Sequence, residues 1–208
     1  PAPADRVQAT EARLDTLHQS LANAKVRRDV YLSHVSGMTF GDDPRQGYFR
    51  NGVFYHPELR FQITFPSGWQ TQNTPQAVAA QSPNQDAIMQ LTLGQGTPSA
   101  AAQQFFGQQG IQSSNVSNSS INGLPAVSGY FQAQTDQGAV AGIVSFISYN
   151  NATYQILGYT PAAGLTQYDP VFRRAIASFG TVSDPGVLNV QPVKVELVKV
   201  PRAMTVQE

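Results

Sequence analysis

The segment FYHPELRFQITFPSGW, residues 54–69, contains the clearest strand pattern in the chain. Apolar side chains at Phe61, Ile63 and Phe65 alternate with polar ones. Because successive side chains of a strand point to opposite faces of a sheet, this alternation predicts a half-buried strand. The Pro-Ser-Gly turn that follows ends the strand, and we expect Trp69 to fill the end of the core.

A β-hairpin is predicted immediately before this strand. Two short aromatic runs, residues 48–50 and 53–55, flank the dipeptide Asn51-Gly52, which accepts the positive φ angles of a type I′ turn. His56 follows and precedes Pro57, which favours extended backbone at His56. We interpret His56 as structural, with its imidazole hydrogen-bonded to loop backbone.

The remainder of the chain contains further strand and helix patterns. Strands are expected at residues 77–80, 88–93, 126–134, 140–149 and 153–159, the last three as an antiparallel meander, and helices at 99–109 and 166–179. A terminal strand is expected over residues 193–200. This order predicts an α+β fold, in which helices pack on an antiparallel sheet.

The N-terminal segment is predicted to form one amphipathic helix from Asp5 to about His34. Apolar residues recur at heptad-like spacing, and Leu14, Leu17 and Leu21 form the centre of the apolar face. Two interpretations remain open, a short coiled coil or a helix that packs one face on a neighbouring domain. In either case these three leucines are the predicted interaction face.

Three segments are expected along the chain. Residues 1–40 form a helical linker from an upstream domain, residues 41–182 the α+β domain, and residues 183–208 a linker with the terminal strand. The chain starts at Pro1 and ends at Glu208, so we expect a processed protein or a fragment.

Charge is distributed unevenly in this neutral chain, which has 13 basic and 13 acidic residues among 208. No Lys, Arg or Glu occurs from Phe61 to Phe172. Binding to nucleic acid or to an anionic membrane needs cationic side chains, so this region is a poor candidate for either. A surface of Gln, Asn, Ser and Thr favours a periplasmic or other extracytoplasmic location, with membrane association only through segments outside the chain.

Catalytic and metal-binding motifs are absent from the sequence. There is no cysteine, and the three histidines do not form HExxH. Asp42 and Asp43 lack the alternating oxygen ligands of a calcium loop. We therefore predict no catalytic and no metal-binding residue, and leave a cryptic site around His56, Asp42 and Asp43 as the alternative. Tyr55 and Trp69 are candidates for a ligand groove, the alternative being that both belong to the core.

The segment GDDPRQGYFRNGVFYHPELRFQITFPSGWQTQNTPQAV, residues 41–78, resembles the region after the catalytic domain in some bacterial zinc metallopeptidases. These belong to the family of the CAAX prenyl endopeptidase and the HtpX heat-shock protease. Weaker matches are PADRVQATEARLDTLHQ (3–19), INGLPAVSG (121–129) and QPVKVELVKVPRAMT (191–205). The Pro-x-Gly-Trp element and the charge-poor sheet also resemble the PsbP-like α/β/α sandwich.

This resemblance implies a non-catalytic accessory domain, which engages substrates or partners of a secreted or membrane-associated zinc protease. The family's HExxH signature does not occur here, so none of its zinc or catalytic residues can be assigned to this chain. The resemblance places zinc in an upstream peptidase domain, which would be a partner along with protein substrates or a second copy. The alternative is a free-standing exported PsbP-like binding or assembly protein.

Overall fold

The structure, a computed structural model, describes residues 3–16, 25 and 27–198. These residues divide into two compact units. One contains the described residues up to Thr39 together with those from Lys194 onward, and the other is Phe40–Val193. None of the helices in the described ranges is long and apolar enough to cross a membrane.

The first unit contains two helices, α1 (Pro3–Thr16) and α2 (Arg28–Val35). The prediction of one helix from Asp5 to His34 is wrong, because Lys25 and Arg27 are not helical. Lys25 and Arg28 are three residues apart, so in a continuous helix their like charges would be neighbours on one face and would destabilise it.

The predicted terminal strand is reduced, over its described part, to one isolated bridge between Thr39 and Lys194. The Gly37 N–H donates to the Val195 carbonyl at 2.9 Å, and the Val195 N–H donates to the Met38 carbonyl at 2.8 Å. Residues 199 and 200 of the predicted strand lie outside the described residues.

The second unit contains eleven strands in its described residues. In chain order they are β1 (Tyr48–Arg50), β2 (Val53–His56), β3 (Phe61–Thr64), β4 (Gln70–Asn73), β5 (Val78–Gln81), β6 (Ile88–Gly94), β7 (Ile111–Ile121), β8 (Leu124–Thr135), β9 (Gly138–Tyr149), β10 (Ala152–Pro161) and β11 (Gly180–Thr181). Its helices are α3 (Pro98–Phe106), α4 (Leu165–Ala177) and α5 (Pro185–Leu188), with 3₁₀ turns at Pro44–Gln46 and Ala162–Gly164.

The strands form two antiparallel sheets. The smaller has the order β1-β2-β3-β11, and the larger has the order β4-β5-β6-β10-β9-β8-β7. Helix α3 covers one face of the larger sheet, where its buried alanines pack on side chains of β8 and β9. Helix α4 and the smaller sheet cover the other face. The predicted α+β architecture, an antiparallel sheet flanked by helices, is confirmed, and an N-terminal helix is present.

The contact between α4 and the larger sheet depends on a glycine. Phe172 of α4 is fully buried over Gly158 of β10, and a Cβ at Gly158 would lie 2.6 Å from the Phe172 ring. Only a glycine permits this close approach, because non-bonded carbon atoms in proteins do not come that near to each other.

Residues 183–193 belong to the second unit. Asp184 caps α5, since its Oδ1 accepts a hydrogen bond from the Gly186 N–H at 2.8 Å. Val187 of this short helix is fully buried. Within the segment that was expected to be a linker, at least this one side chain is therefore buried.

Candidate functional site

The candidate site is a cleft of about 650 Å³ in the second unit. It is lined by residues of the smaller sheet and of β4, β5 and β6. Its floor includes the buried side chains of Phe61, Leu91 and Tyr154. Leu93 also lines it and is 65% exposed, so an apolar side chain is accessible to a ligand. This volume is in the range of ligand-binding pockets in proteins.

One rim of the cleft is the loop from Asp42 to Gly47. Asp43 begins the 3₁₀ turn, where its Oδ1 accepts a hydrogen bond from the Arg45 N–H at 3.0 Å. Gly47 has φ +104° and lies directly against the Phe54 ring, so no side chain fits there. The Asn73 amide of β4 donates to the Gly47 carbonyl at 3.0 Å and holds the loop beside that strand.

The polar side chains of the cleft are almost all uncharged. Among its described lining residues, the only Asp, Glu, Lys or Arg residues are Asp42 and Asp43. Arg45 binds both carboxylate oxygens of Asp43 and so holds the pKa of Asp43 below its ordinary value. Apart from the His56 imidazole, the remaining hydrogen-bonding side chains are amides and hydroxyls, from Gln46, Tyr48, Thr71, Asn73, Thr74, Gln76, Thr92 and Tyr154. Such a surface suits a neutral ligand that has many donors and acceptors.

His56 also lines this cleft. Its Nδ1 accepts a hydrogen bond from the Leu59 N–H at 3.3 Å, which is the bond to loop backbone that the sequence predicts. Burial lowers the pKa of His56 below its ordinary value, although the nearby Glu58 carboxylate acts in the opposite direction. Burial and the bond at Nδ1 both favour the neutral form of the imidazole, and the bond holds the ring in place.

The cleft brings together the three residues of the alternative cryptic site, because Asp42, Asp43 and His56 all line it. Two of them already have partners, Asp43 in its ion pair with Arg45 at 2.6 Å and His56 in its bond to Leu59. The ion pair lowers the pKa of Asp43 and so makes this carboxylate a weaker base, and His56 would lose its bond to the Leu59 N–H on taking a proton at Nδ1.

The described residues do not fit a zinc ion. No group of three His, Cys, Asp or Glu side chains in the described ranges lies close enough to hold a metal. A structural or catalytic zinc needs at least three protein ligands of these types. His56 moreover uses its Nδ1 as an acceptor for backbone.

Tyr55 and Trp69 have separate surroundings. The Tyr55 ring lies 5.8 Å from the Tyr48 ring, and the Arg50 guanidinium lies 5.3 Å above its centroid. Trp69 is half-buried and packs edge-on against Tyr168 of α4 at 6.0 Å. Neither residue lines the cleft. A ligand role for the two stays a prediction.

Of the predicted interaction face, the structure describes only Leu14. This residue lies in α1 and is 42% exposed. Leu17 and Leu21 lie outside the described residues.

The sequence analysis did not predict a polar network that lies between α4 and the turn from β5 to β6. Asp86 accepts hydrogen bonds on Oδ1 from the Tyr168 hydroxyl at 2.6 Å and from the Ser82 hydroxyl at 2.7 Å. These bonds lower the pKa of Asp86 and raise the pKa of Tyr168. The network joins α4 to the turn between β5 and β6, and no local sequence pattern signals a pair 82 residues apart.

Comparison with known proteins gives no sequence family, since no protein-family model and no curated protein matches the chain. Among solved structures, it is similar to cyanobacterial PsbP (CyanoP) from Synechocystis sp. PCC 6803, with 12% identity and a TM-score of 0.49 over 62% of this chain and 91% of that one.

Two further solved structures are similar at a lower score. LpqN of Mycobacterium tuberculosis, involved in cell envelope biogenesis, has 12% identity and a TM-score of 0.42 over 59% of this chain and 83% of that one. A protein of unknown function from Pseudomonas aeruginosa has 21% identity and a TM-score of 0.41 over 60% of this chain and 92% of that one. At these values we take neither a function nor a site from the neighbours.

Proposed function

We propose that this chain is a non-catalytic accessory domain that engages an extended polypeptide in its cleft. The observation that carries this proposal is the character of the cleft. It combines a buried apolar floor, the exposed Leu93 and a rim of neutral amides and hydroxyls. A polypeptide offers the same mixture, with apolar side chains for the floor and backbone donors and acceptors for the rim.

The position of β4 supports an extended conformation for that polypeptide. This strand lies at one end of the larger sheet, so one of its sides pairs with no other described strand. An edge strand presents alternate backbone N–H and C=O groups that a further strand can pair with. Thr71 and Asn73 of β4 line the cleft, so a strand added there would direct alternate side chains towards it.

The finer part of the proposal is that the parent protein is a secreted or membrane-associated zinc-dependent metalloprotease. It is supported by the resemblance of residues 41–78 to the region that follows the peptidase in that family. In this proposal the zinc and its ligands belong to an upstream peptidase domain, and this domain presents protein substrates or a partner to it. The charge-poor surface is in keeping with a periplasmic location.

Binding can be tested by NMR on the labelled chain, titrated with a short blocked peptide of alternating valine and serine. We expect shifts at Thr71, Asn73 and Leu93. Replacing Leu93→Asp should weaken binding roughly tenfold or more, because a carboxylate would be buried without a partner. The matched control is Val116→Asp, which changes an exposed apolar residue outside the cleft and should leave affinity unchanged. Shifts confined to residues outside the cleft would contradict the proposal.

The protease context has a separate test, the reading frame of the gene upstream of the Pro1 codon. An in-frame HExxH domain would support an accessory module of a protease. A signal peptide ending just before Pro1 would instead support the alternative, a free-standing exported binding protein, and would leave the peptide titration as the test of the cleft.

A further inference from the structure

The chain contains two Asn-Gly dipeptides in the same backbone conformation. Asn51 and Gly52 have φ angles of +52° and +78°, and Asn122 and Gly123 have +49° and +81°. The first pair connects β1 to β2, and the second connects β7 to β8. Both are the two-residue turns that positive φ angles permit between antiparallel strands.

The two asparagine side chains have different contacts. The Asn122 amide nitrogen donates to the Ala177 carbonyl at 2.9 Å and to the Phe179 carbonyl at 2.8 Å. The Asn51 side chain is exposed and makes no hydrogen bond with any described residue. The same dipeptide is therefore free in one turn and bound in the other.

The two carbonyls that Asn122 binds lie at the C-terminal end of α4. The last carbonyls of a helix have no partner within the helix and need donors from elsewhere. Here one side chain of the β7–β8 turn supplies a donor to Ala177, the last residue of α4, and to Phe179, which is fully buried two residues later. The Asn122 amide thus fastens the end of α4 to the larger sheet.

We propose that Asn122 is a deamidation site that becomes reactive only when the end of α4 separates from this turn. In the reaction, the deprotonated backbone nitrogen of Gly123 attacks Cγ of Asn122. The bond from Cγ to the side-chain nitrogen breaks, that nitrogen leaves as ammonia, and a five-membered succinimide forms. Water then opens either ring carbonyl and gives aspartate or isoaspartate. Glycine favours the attack because it has no side chain to obstruct the ring.

The two hydrogen bonds to α4 oppose this reaction, because they hold the side-chain amide on the carbonyls of Ala177 and Phe179 and away from the Gly123 nitrogen. The product cannot restore them. A carboxylate at neutral pH has no hydrogen to donate and would face two carbonyl oxygens. Each brief opening of the helix end can therefore be converted into a permanent one, whereas the same change at Asn51 removes no contact.

The rates at the two sites test the proposal. The native protein is incubated at mildly alkaline pH, and both dipeptides are followed by peptide mapping with mass spectrometry. We expect Asn122 to react roughly ten- to thirtyfold more slowly than Asn51, since the reactive form must break two hydrogen bonds. In concentrated urea the two rates should become similar. Equal rates in native buffer would overturn the proposal.

The consequence for α4 is tested by hydrogen exchange of the amides of Ser178 and Phe179. In aged native protein, molecules modified at Asn122 should exchange these amides faster, and molecules modified only at Asn51 should not. The variants Asn122→Asp and Asn51→Asp are the matched pair for the same measurement. Because the aged native sample is folded when the reaction occurs, the result does not depend on whether the Asn122→Asp variant folds. Unchanged exchange after modification of Asn122 would show that its amide does not fasten the helix.

Discussion

Helices α4 and α1 have apolar residues at helical spacing, but they differ in burial. In α4, the side chains of Tyr168, Phe172, Ala175 and Ile176 are buried against the two sheets. In α1, every side chain from Ala4 to Asp15 is exposed, with Val7 57% and Leu14 42% accessible. Amphipathic spacing predicts that a helix has an apolar face, but it does not say what covers that face.

The difference extends to the units that contain the two helices. The second unit buries aromatic side chains from both sheets and from α4 in one cluster. In the first unit, none of the described residues is buried. Burial of apolar surface is the main stabilising term in folding. The described part of the first unit gains little from it, so we expect its apolar residues to be available to a partner.

The largest effect is expected from Phe172→Ala in α4. The ring is fully buried over Gly158 and lies 6.0 Å from the Tyr168 ring, so its removal leaves a cavity. We expect the free energy of unfolding to fall by about 3–5 kcal/mol in denaturant titrations. The matched control, Val7→Ala in α1, should change it by less than about 0.5 kcal/mol. Similar losses for the two variants would show that the first unit contributes a core of its own.

The same contrast explains which elements the sequence predicts. Strand β3 was predicted because its side chains alternate between a buried and a less buried face. The meander of β8, β9 and β10 was predicted because its apolar runs are separated by turn residues such as Asn and Gly. Strand β7 was missed because its central residues are exposed on both faces and, apart from Val116, are polar, so no alternation exists. It forms because β8 pairs with it along both of its halves, on either side of a register shift between Ser114 and Ser117. Tertiary pairing overrides weak local propensity in this strand.

The candidate site was harder to predict than the fold. His56 and its backbone bond could be predicted because Pro57 and the turn are local in sequence. The cleft could not, since it joins a loop at residues 42–47 to strands as distant as β10. The hydrogen bond between Asp86 and Tyr168 likewise joins segments that are far apart in the sequence. Both depend on how the two sheets and α4 pack, which no spacing in the sequence records.

A smaller effect is expected from Tyr168→Phe, which removes one hydrogen bond to Asp86 and little volume. The folded-state pKa of Asp86 lies below its unfolded value, so the bond contributes stability above the unfolded pKa, which is lost as pH falls through the folded pKa. We expect the variant to be less stable than the parent near neutral pH, by much less than Phe172→Ala. The difference in the free energy of unfolding between variant and parent should disappear as the pH falls below the ordinary pKa of an aspartate. If this difference in the free energy of unfolding stays constant down to that pH, the hydrogen bond from Tyr168 does not stabilise the ionised form of Asp86.

The smallest effect on folding, and the largest on assembly, is expected for the predicted interaction face. The charged substitution Leu14→Asp should leave the free energy of unfolding within about 0.5 kcal/mol of the parent, since Leu14 is exposed. It should nevertheless weaken any association through α1, because a buried unpaired charge is costly at an interface. The measurement is molar mass by light scattering over a range of concentrations, and the control is Gln8→Asp, an exposed polar residue of the same helix. If Leu14→Asp lowers stability as Phe172→Ala does, α1 is part of a folded core, and the distinction between the two helices fails.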